Sequence, residues 1–194
     1  RIIWPDSVGS GGTLQPSYFL AAALAGLRSG VVPQRGLTNA VIAGFDSVTR
    51  STPYFNSDQL DVIAAGGAWI VHKLPTGEIV TRHALTTKVA DLSRRSEMRV
   101  SNLDSISFVY YNRLAPYIGQ ANVTASFLSL LRVQLDSIKS FLQSNGFVPE
   151  LGGQINDAVI SALRVHPILK DRVLVVVNLD LSYELNNVEL HLVV

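Results

Sequence analysis

Apolar residues recur at helical spacing in four stretches of the chain, separated by glycine, proline and polar residues. The four stretches are 16–29, 56–65, 91–114 and 124–145. Within each stretch the apolar positions return every three or four residues, which is the period of one helix face. Ser57 and Thr124 are suited to cap the second and fourth helices, and Pro116 follows the end of the third. The pattern therefore predicts four helices.

Shorter apolar runs between turn residues indicate β-strands. The predicted strands are 40–44, 69–71, 79–81, 158–165, 173–181 and 188–194. The runs at 69–71 and 79–81 flank Pro75 to Gly77 and predict a hairpin, whereas we interpret Gly9 to Gly12 as a flexible loop. Together these elements predict an α/β (α+β type) fold, in which a mixed β-sheet is flanked by helices.

The length of the chain favours one domain. It has 194 residues, of which 47% are hydrophobic and 16% charged, enough to bury one sizeable core. We expect residues 1–194 to form a single domain whose sheet contains 158–165 and 173–181. The helices 16–29, 91–114 and 124–145 each carry an apolar face that this sheet would cover.

Charge and cysteine content narrow the possible functions. The net charge is +1, from 16 basic and 15 acidic residues, so no large field draws nucleic acid or anionic lipid to the molecule as a whole. The absence of cysteine excludes disulfides and thiolate metal sites. No apolar run approaches the roughly 20 residues that span a bilayer, and we expect no membrane insertion. Because the sequence opens on Arg1 and not on methionine, we expect a fragment of a longer protein.

Motifs that carry catalysis are missing from the sequence. There is no nucleophile elbow, no Walker lysine behind a glycine loop, and no H-E-x-x-H. The four histidines, His72, His83, His166 and His191, lie far apart and lack partners at metal-ligand spacing. We predict no catalytic residue, no cofactor and no metal. A small α/β enzyme stays open as an alternative, and it would need a cleft lined by His83 and carboxylates.

The last predicted strand has a strongly apolar face. Val188, Leu190, Leu192 and Val194 alternate along it and point to one side. A long apolar strand left at a sheet edge invites association with another chain. The strand could form a hairpin with 173–181, which the sequence alone favours, or it could be donated to the sheet of a neighbouring subunit.

Several short runs, taken in order, resemble the contractile-tail sheath family of bacteriophages and related injection systems. The runs are PSYFLAAALAG from Pro16, LTN from Leu37, YFNSDQL from Tyr54, VTRHALTT from Val80, YIGQANVT from Tyr117 and KDRV from Lys170. They extend over nearly the whole chain, and the long helix and terminal strands follow in the expected order. The resemblance implies that this chain is the carboxy-terminal, inner domain of a structural subunit that polymerises around a tail tube. Contraction of that polymer drives the tube through a target envelope.

The resemblance also implies specific interfaces. Residues 188–194 correspond to a carboxy-terminal arm that adds to a neighbour's sheet, with Val188, Leu190, Leu192 and Val194 as its contacts and 184–187 as its linker. The family's linker usually contains proline, and this one does not. Arg132 and Lys139 on the helix 124–145 are expected to face the tube. The implied partners are other sheath subunits, the tube protein and the baseplate, in a virion tail assembled in the host cytoplasm. Another structural component of such a machine is the nearest alternative.

Overall fold

A computed structural model describes residues 2–48, 56–91, 94–144 and 152–182. These residues divide into two compact units, 2–100 and 101–182. The helix Glu97–Leu114 begins in the first unit and continues into the second.

The first unit contains two small sheets and two helices. Its strands are β1 (Ile2–Trp4), β2 (Ser7–Ser10), β3 (Thr13–Pro16), β4 (Ser47–Val48), β5 (Ala68–Lys73) and β6 (Ile79–Thr81). One sheet has the order β1-β5-β6, with β1 parallel and β6 antiparallel to β5. The other has the antiparallel order β3-β2-β4. Its helices are α1 (Ser17–Ser29) and α2 (Ser57–Ala65).

The core of the first unit lies between α1 and both sheets. It includes Val8 of β2, Leu20 and Leu24 of α1, and Trp69 and Val71 of β5, all nearly inaccessible to solvent. A second cluster joins α2 to β5. Leu20 and Leu24 are the two fully buried residues of α1, so these two side chains anchor the helix in this core.

A buried ion pair fixes the end of α1. Arg28 lies 3.4 Å from the fully buried carboxylate of Glu97 and also donates to the carbonyl oxygens of Val32 (2.7 Å) and Arg35 (2.8 Å). Because the guanidinium group has carbonyl acceptors as well as the carboxylate, its buried charge is well solvated by the protein.

The second unit is built from two helices and a β-ribbon. Its elements are α3 (Glu97–Leu114), α4 (Ala125–Ser144), β7 (Ile155–Val165) and β8 (Val173–Leu181). A short 3₁₀ turn, Ala115–Tyr117, follows α3. β7 and β8 pair antiparallel, and their inner face packs on Ile106 of α3 and on Ile138 and Leu142 of α4.

Two buried amide side chains lock the start of β7 to α3. Asn102 Nδ2 donates to the Gln154 carbonyl oxygen at 2.6 Å, and Gln154 Nε2 donates to Asn102 Oδ1 and Ser105 Oγ, both at 3.1 Å. Both amides are fully buried, and the Gln154 backbone N–H donates to the carbonyl of Leu142. These polar groups therefore stabilise a specific arrangement of α3, α4 and β7 within this unit.

Helix caps and turns differ in detail from the sequence predictions. Thr124 caps α4, since its Oγ1 accepts from the Phe127 N–H at 3.1 Å, as predicted. The cap of α2 is Asn56 rather than Ser57, because Asn56 and Gln59 form a reciprocal capping box.

Two predicted elements have different bounds in the structure. α3 begins at Glu97, later than predicted. The predicted strand 40–44 contributes only one isolated bridge, between Val41 and Val80.

The glycine loop at 9–12 is a tight hairpin and not a flexible loop. Gly11 and Gly12 have φ of 58° and 75°, the left-handed values that a two-residue turn between β2 and β3 requires. Asp46 holds this turn, because one of its carboxylate oxygens accepts from the Gly12 N–H at 3.1 Å. That hydrogen bond lowers the pKa of Asp46.

The α+β fold class is confirmed, but the expected single sheet with a single core is wrong. The described strands form three sheets, and α1 packs in the first unit rather than on β7 and β8. Short strands far apart in sequence, such as β1 and β5, pair with each other here, and periodicity within each strand does not reveal such pairing. Whether the two units fold independently is a separate property, so the single-domain organisation stays a prediction.

Gly153 provides a sharp test of packing in the second unit. A Cβ at this position would lie 2.3 Å from the Gln143 carbonyl oxygen at the end of α4. We expect Gly153→Ala to lower the free energy of unfolding by about 1–3 kcal/mol, because backbone must move to admit the methyl group. Chemical denaturation followed by circular dichroism measures the change. Gly26→Ala, which meets no neighbour in α1, should instead stabilise by about 0.5–1 kcal/mol. Equal effects at the two positions would contradict the packing argument.

Candidate assembly interface

The β7–β8 ribbon of the second unit has long strands but, among the described residues, no third strand. Its strands have eleven and nine residues, yet among the described residues each strand pairs only with the other. Each strand therefore presents an outer edge whose backbone groups no described strand pairs. A two-stranded ribbon is only marginally stable by itself, and open edges readily accept a further strand.

The outer face of the ribbon is partly apolar. Side chains that oppose each other across two strands lie on the same face, and here Asp157 opposes Asp180, Val159 opposes Asn178 and Ala162 opposes Val176. Val159 is 55% exposed and Val176 is 39% exposed. The inner face carries Val177, Leu179 and Leu181, which pack on the core. The outer face thus leaves a valine patch uncovered beside two carboxylates.

The loop that joins β7 to β8 is held by hydrogen bonds to His166. Its Nδ1 accepts from the backbone N–H groups of Ile168 (3.3 Å) and Leu169 (3.1 Å). The His166 N–H donates to the Arg172 carbonyl at 2.8 Å, and the Arg172 N–H donates to the Leu169 carbonyl at 3.0 Å. Within this ordered turn the side chain of Ile168 is 81% exposed.

Lys139, one of the two residues expected to face the tube, is engaged within the second unit. Its Nζ lies 2.6 Å from Asp157 Oδ1, and the neighbouring Gln143 Nε2 donates to the Asn156 carbonyl at 2.9 Å. These contacts fasten the edge of α4 to the start of β7. The hydrogen bond from Lys139 is the main cause that lowers the pKa of Asp157.

Arg132, the other expected tube-facing residue, is exposed on α4. The most exposed side of this helix carries Val133 and several serines rather than a row of charges. The exposed serines of α4 are Ser126, Ser129, Ser137, Ser140 and Ser144. Lys139 and Gln143 lie at the border of that side, where both side chains reach the start of β7. The tube-facing role of Arg132 and Lys139 stays a prediction.

The predicted interface residues Val188, Leu190, Leu192 and Val194 lie outside the described residues, as does the linker 184–187. The hairpin alternative for 188–194 therefore also stays untested. The described partner of β8 is β7, through the turn held by His166.

The enzyme alternative required a cleft lined by His83 and carboxylates, and the described residues of the first unit form a groove with a different lining. A groove of about 270 Å³ beside α1 is lined by Ile3, Ala21, Leu24, Ala25, Arg28, Ser29 and Trp69, and His83 is not among them. Burial, followed by the nearby Arg82 and His83, lowers the pKa of His72. Among the described residues no three potential metal ligands cluster. Nor does any described helix combine the length and apolar character needed to cross a membrane.

Solved structures with a similar fold indicate the class of protein that this chain resembles. No protein-family profile and no curated protein sequence matches the chain. In its fold, however, the chain is like the tail sheath proteins of contractile machines. The sequence resemblance to that class is thereby confirmed at the level of fold.

Particular structures make the likeness concrete. The chain matches a component of the anti-feeding prophage baseplate with a TM-score of 0.77 and 14% identity, over 100% of this chain and 54% of that one. It matches the contracted helical sheath of the same particle with a TM-score of 0.76 and 13% identity, over 100% and 55%. A sheath tail protein of Desulfitobacterium hafniense matches with a TM-score of 0.60 and 16% identity, over 93% and 45%. The chain thus spans about half the length of these structures.

The Lys139–Asp157 contact makes a testable electrostatic prediction. We expect the pKa of Asp157 to lie below the usual 3.8 and to rise towards it in Lys139→Met, because the donated hydrogen bond is lost. Stability from this contact is present above the unfolded-state pKa and is lost as pH falls through the lowered folded-state pKa. NMR titration of the carboxyl carbons measures both values. The pKa of Asp46 depends on the Gly12 N–H and should not change. An unchanged Asp157 in the variant would contradict the contact.

Proposed function

We propose that this chain is the polymer-forming, carboxy-terminal part of a contractile tail sheath subunit. The observation that carries the proposal is the likeness of the chain, over its whole length, to a contracted helical sheath structure, with a TM-score of 0.76. The ribbon with two open edges is the feature within that fold that a polymer would use. The role is structural, and no step of chemistry is assigned to any residue.

Assembly proceeds by strand addition to the β7–β8 ribbon. The segment 188–194 of one subunit supplies the added strand, and its neighbour supplies the ribbon edge. Burying Val188, Leu190, Leu192 and Val194 would yield about 1.5–3 kcal/mol each at most. Ordering about seven residues costs about 1–2 kcal/mol per residue, so the two contributions nearly cancel. Backbone hydrogen bonds along the new edge then decide the balance.

This near balance suits a nucleated polymer. One added strand gives little net stability, whereas a lattice in which every subunit gives and receives a strand repeats the gain many times. Isolated subunits would not extend into a sheath by strand addition until a nucleus forms. In the proposed machine that nucleus is the baseplate, the sheath surrounds a tail tube, and contraction drives the tube through a target envelope.

A place in the baseplate itself is the second candidate. The match to a baseplate component of the anti-feeding prophage is as extensive as the match to the contracted sheath. The two candidates differ in whether the protein forms long polymers.

Replacing the apolar face of the terminal strand tests the proposed assembly. We expect the double substitution Leu190→Asp and Leu192→Asp in the full-length protein to leave a folded subunit that forms no sheath. Two carboxylates would have to be buried on strand addition, which costs far more than the strand gains. Electron microscopy measures polymer formation, and circular dichroism checks folding.

The matched control alters the opposite face of the same strand. Glu189→Gln and His191→Gln together should leave polymer formation intact, because the alternation of a strand assigns these positions to the face opposite the apolar one. Polymers of normal length and number from the Leu190 and Leu192 variant would show that the contacts lie elsewhere.

The expected tube contact is tested best at Arg132, because Lys139 also fastens α4 to β7. We expect Arg132→Glu to reduce decoration of tubes by the sheath without lowering the melting temperature, since Arg132 is exposed. Arg95→Glu, an equal charge change at an exposed residue of the first unit, serves as the control. Equal decoration by wild type and Arg132→Glu in electron micrographs would remove Arg132 from the tube contact.

A further inference from the structure

The loop between β7 and β8 is held by hydrogen bonds and carries exposed apolar side chains. Most loop tips are polar, but this one projects Ile168, which is 81% exposed, beside Leu169, which is 41% exposed. His166 holds the backbone of both residues through two hydrogen bonds to Nδ1. We call residues 166–172 the knob. A preordered apolar projection loses little conformational entropy when it binds, so it suits an interface.

The knob and the adjoining end of β7 carry basic side chains. Lys170 and Arg172 are exposed within it, and the exposed Arg164 lies at the adjoining end of β7. Asp171 is the one carboxylate in the segment 164–172. With three basic and one acidic side chain, the net charge of this end of the ribbon is +2 when His166 is neutral.

The opposite end of the ribbon has the complementary character. On the outer face Asp157 and Asp180 lie directly across from each other, and Lys139 neutralises only one of them. Asp180 is exposed, and because Lys139 balances the charge of Asp157, the pair keeps one net negative charge that can attract a cation. Next to this pair lie the exposed Val159 and Val176. We call Val159, Val176, Asn178 and Asp180 the outer patch.

We propose that the knob of one copy of this chain binds the outer patch of a second copy. Ile168 and Leu169 would cover Val159 and Val176, while Lys170 and Arg172 would lie near Asp180. The occupant is a second copy because the apolar and charged groups of the knob complement those of the patch. The contact uses the face and tip of the ribbon, so it goes beyond strand addition at its edges and leaves both edges open.

Knob and patch are different surfaces, so this contact is heterologous. A copy whose patch is filled still offers its own knob to a third copy, and association continues beyond a dimer. Exposed charge pairs weaken as salt screens them, whereas the apolar contact does not. The proposal therefore predicts open association of the chain that is stronger at low than at high ionic strength.

Charge reversal tests the proposal directly. In analytical ultracentrifugation of the 194-residue chain, Asp180→Lys alone should weaken association about tenfold, and so should the double variant Lys170→Glu with Arg172→Glu. A mixture of the two variants should recover association, since each then meets an opposite charge. Asp104→Lys, on the exposed side of α3, is the matched charge control. Failure of the mixture to associate better than either variant alone would overturn the proposal.

Apolar variants test the knob itself. Ile168→Asp should abolish association. Ile118→Asp should not, although Ile118 is also an exposed isoleucine, with 73% of its surface accessible to solvent. His166→Leu should weaken association because the knob loses its acceptor, and His166→Asn should restore much of it by accepting from the same N–H groups. Association that stops at a dimer, or that is indifferent to Ile168→Asp, would refute the contact.

The terminal strand separates this proposal from the proposed function. The chain shortened by 188–194 keeps its knob and outer patch, so it should still associate, and the knob variants should weaken its association as they do in the intact chain. Loss of association on shortening, with all knob variants behaving as wild type, would refute the knob contact and leave strand addition standing. Loss in the knob variants only would support the knob contact, whatever the role of the strand.

Discussion

An incomplete β-ribbon is the constraint on which this structure depends. β7 and β8 satisfy each other's backbone along one edge each and cover their inner face with α3 and α4, but nothing within the described residues pairs the outer edges. Backbone groups and apolar side chains left open in this way favour contact with another chain. The rest of the second unit holds the ribbon in place, and its proposed role in assembly follows from what the ribbon lacks.

Polar contacts, and not only apolar packing, position the ribbon. Lys139 and Gln143 hold one edge of α4 against Asn156 and Asp157, while Gln154 bonds to α3 immediately before β7. An apolar stripe alone would allow α4 to rotate or slide over β7 at small cost, whereas these directional contacts favour one register. A ribbon that is already held in one arrangement loses little conformational entropy when it binds a strand or a neighbouring subunit.

Periodicity along this chain is informative for long elements and much less so for short ones. The long elements were predicted well: α1, α4, β7 and β8 lie within a few residues of their expected positions, and Thr124 caps α4. The hairpin at Gly11 and Gly12 was misread as a flexible loop, because its strands are too short for alternation to show. The contact of Lys139 with Asp157 was not predicted, since a long side chain on the border of a helix face can turn either way.

The sequence by itself determined the fold class, the bounds of the long elements and the likeness to sheath proteins, because these depend on local periodicity and on the order of short runs. Only the tertiary structure decided that the strands divide into three sheets, that Lys139 bonds to Asp157, and that His166 orders an apolar turn at Ile168. Each of these depends on which residues distant in sequence, or across a turn, come within a few ångströms of one another. Periodicity reports which face of an element is apolar, but it carries no information on which partner that face meets.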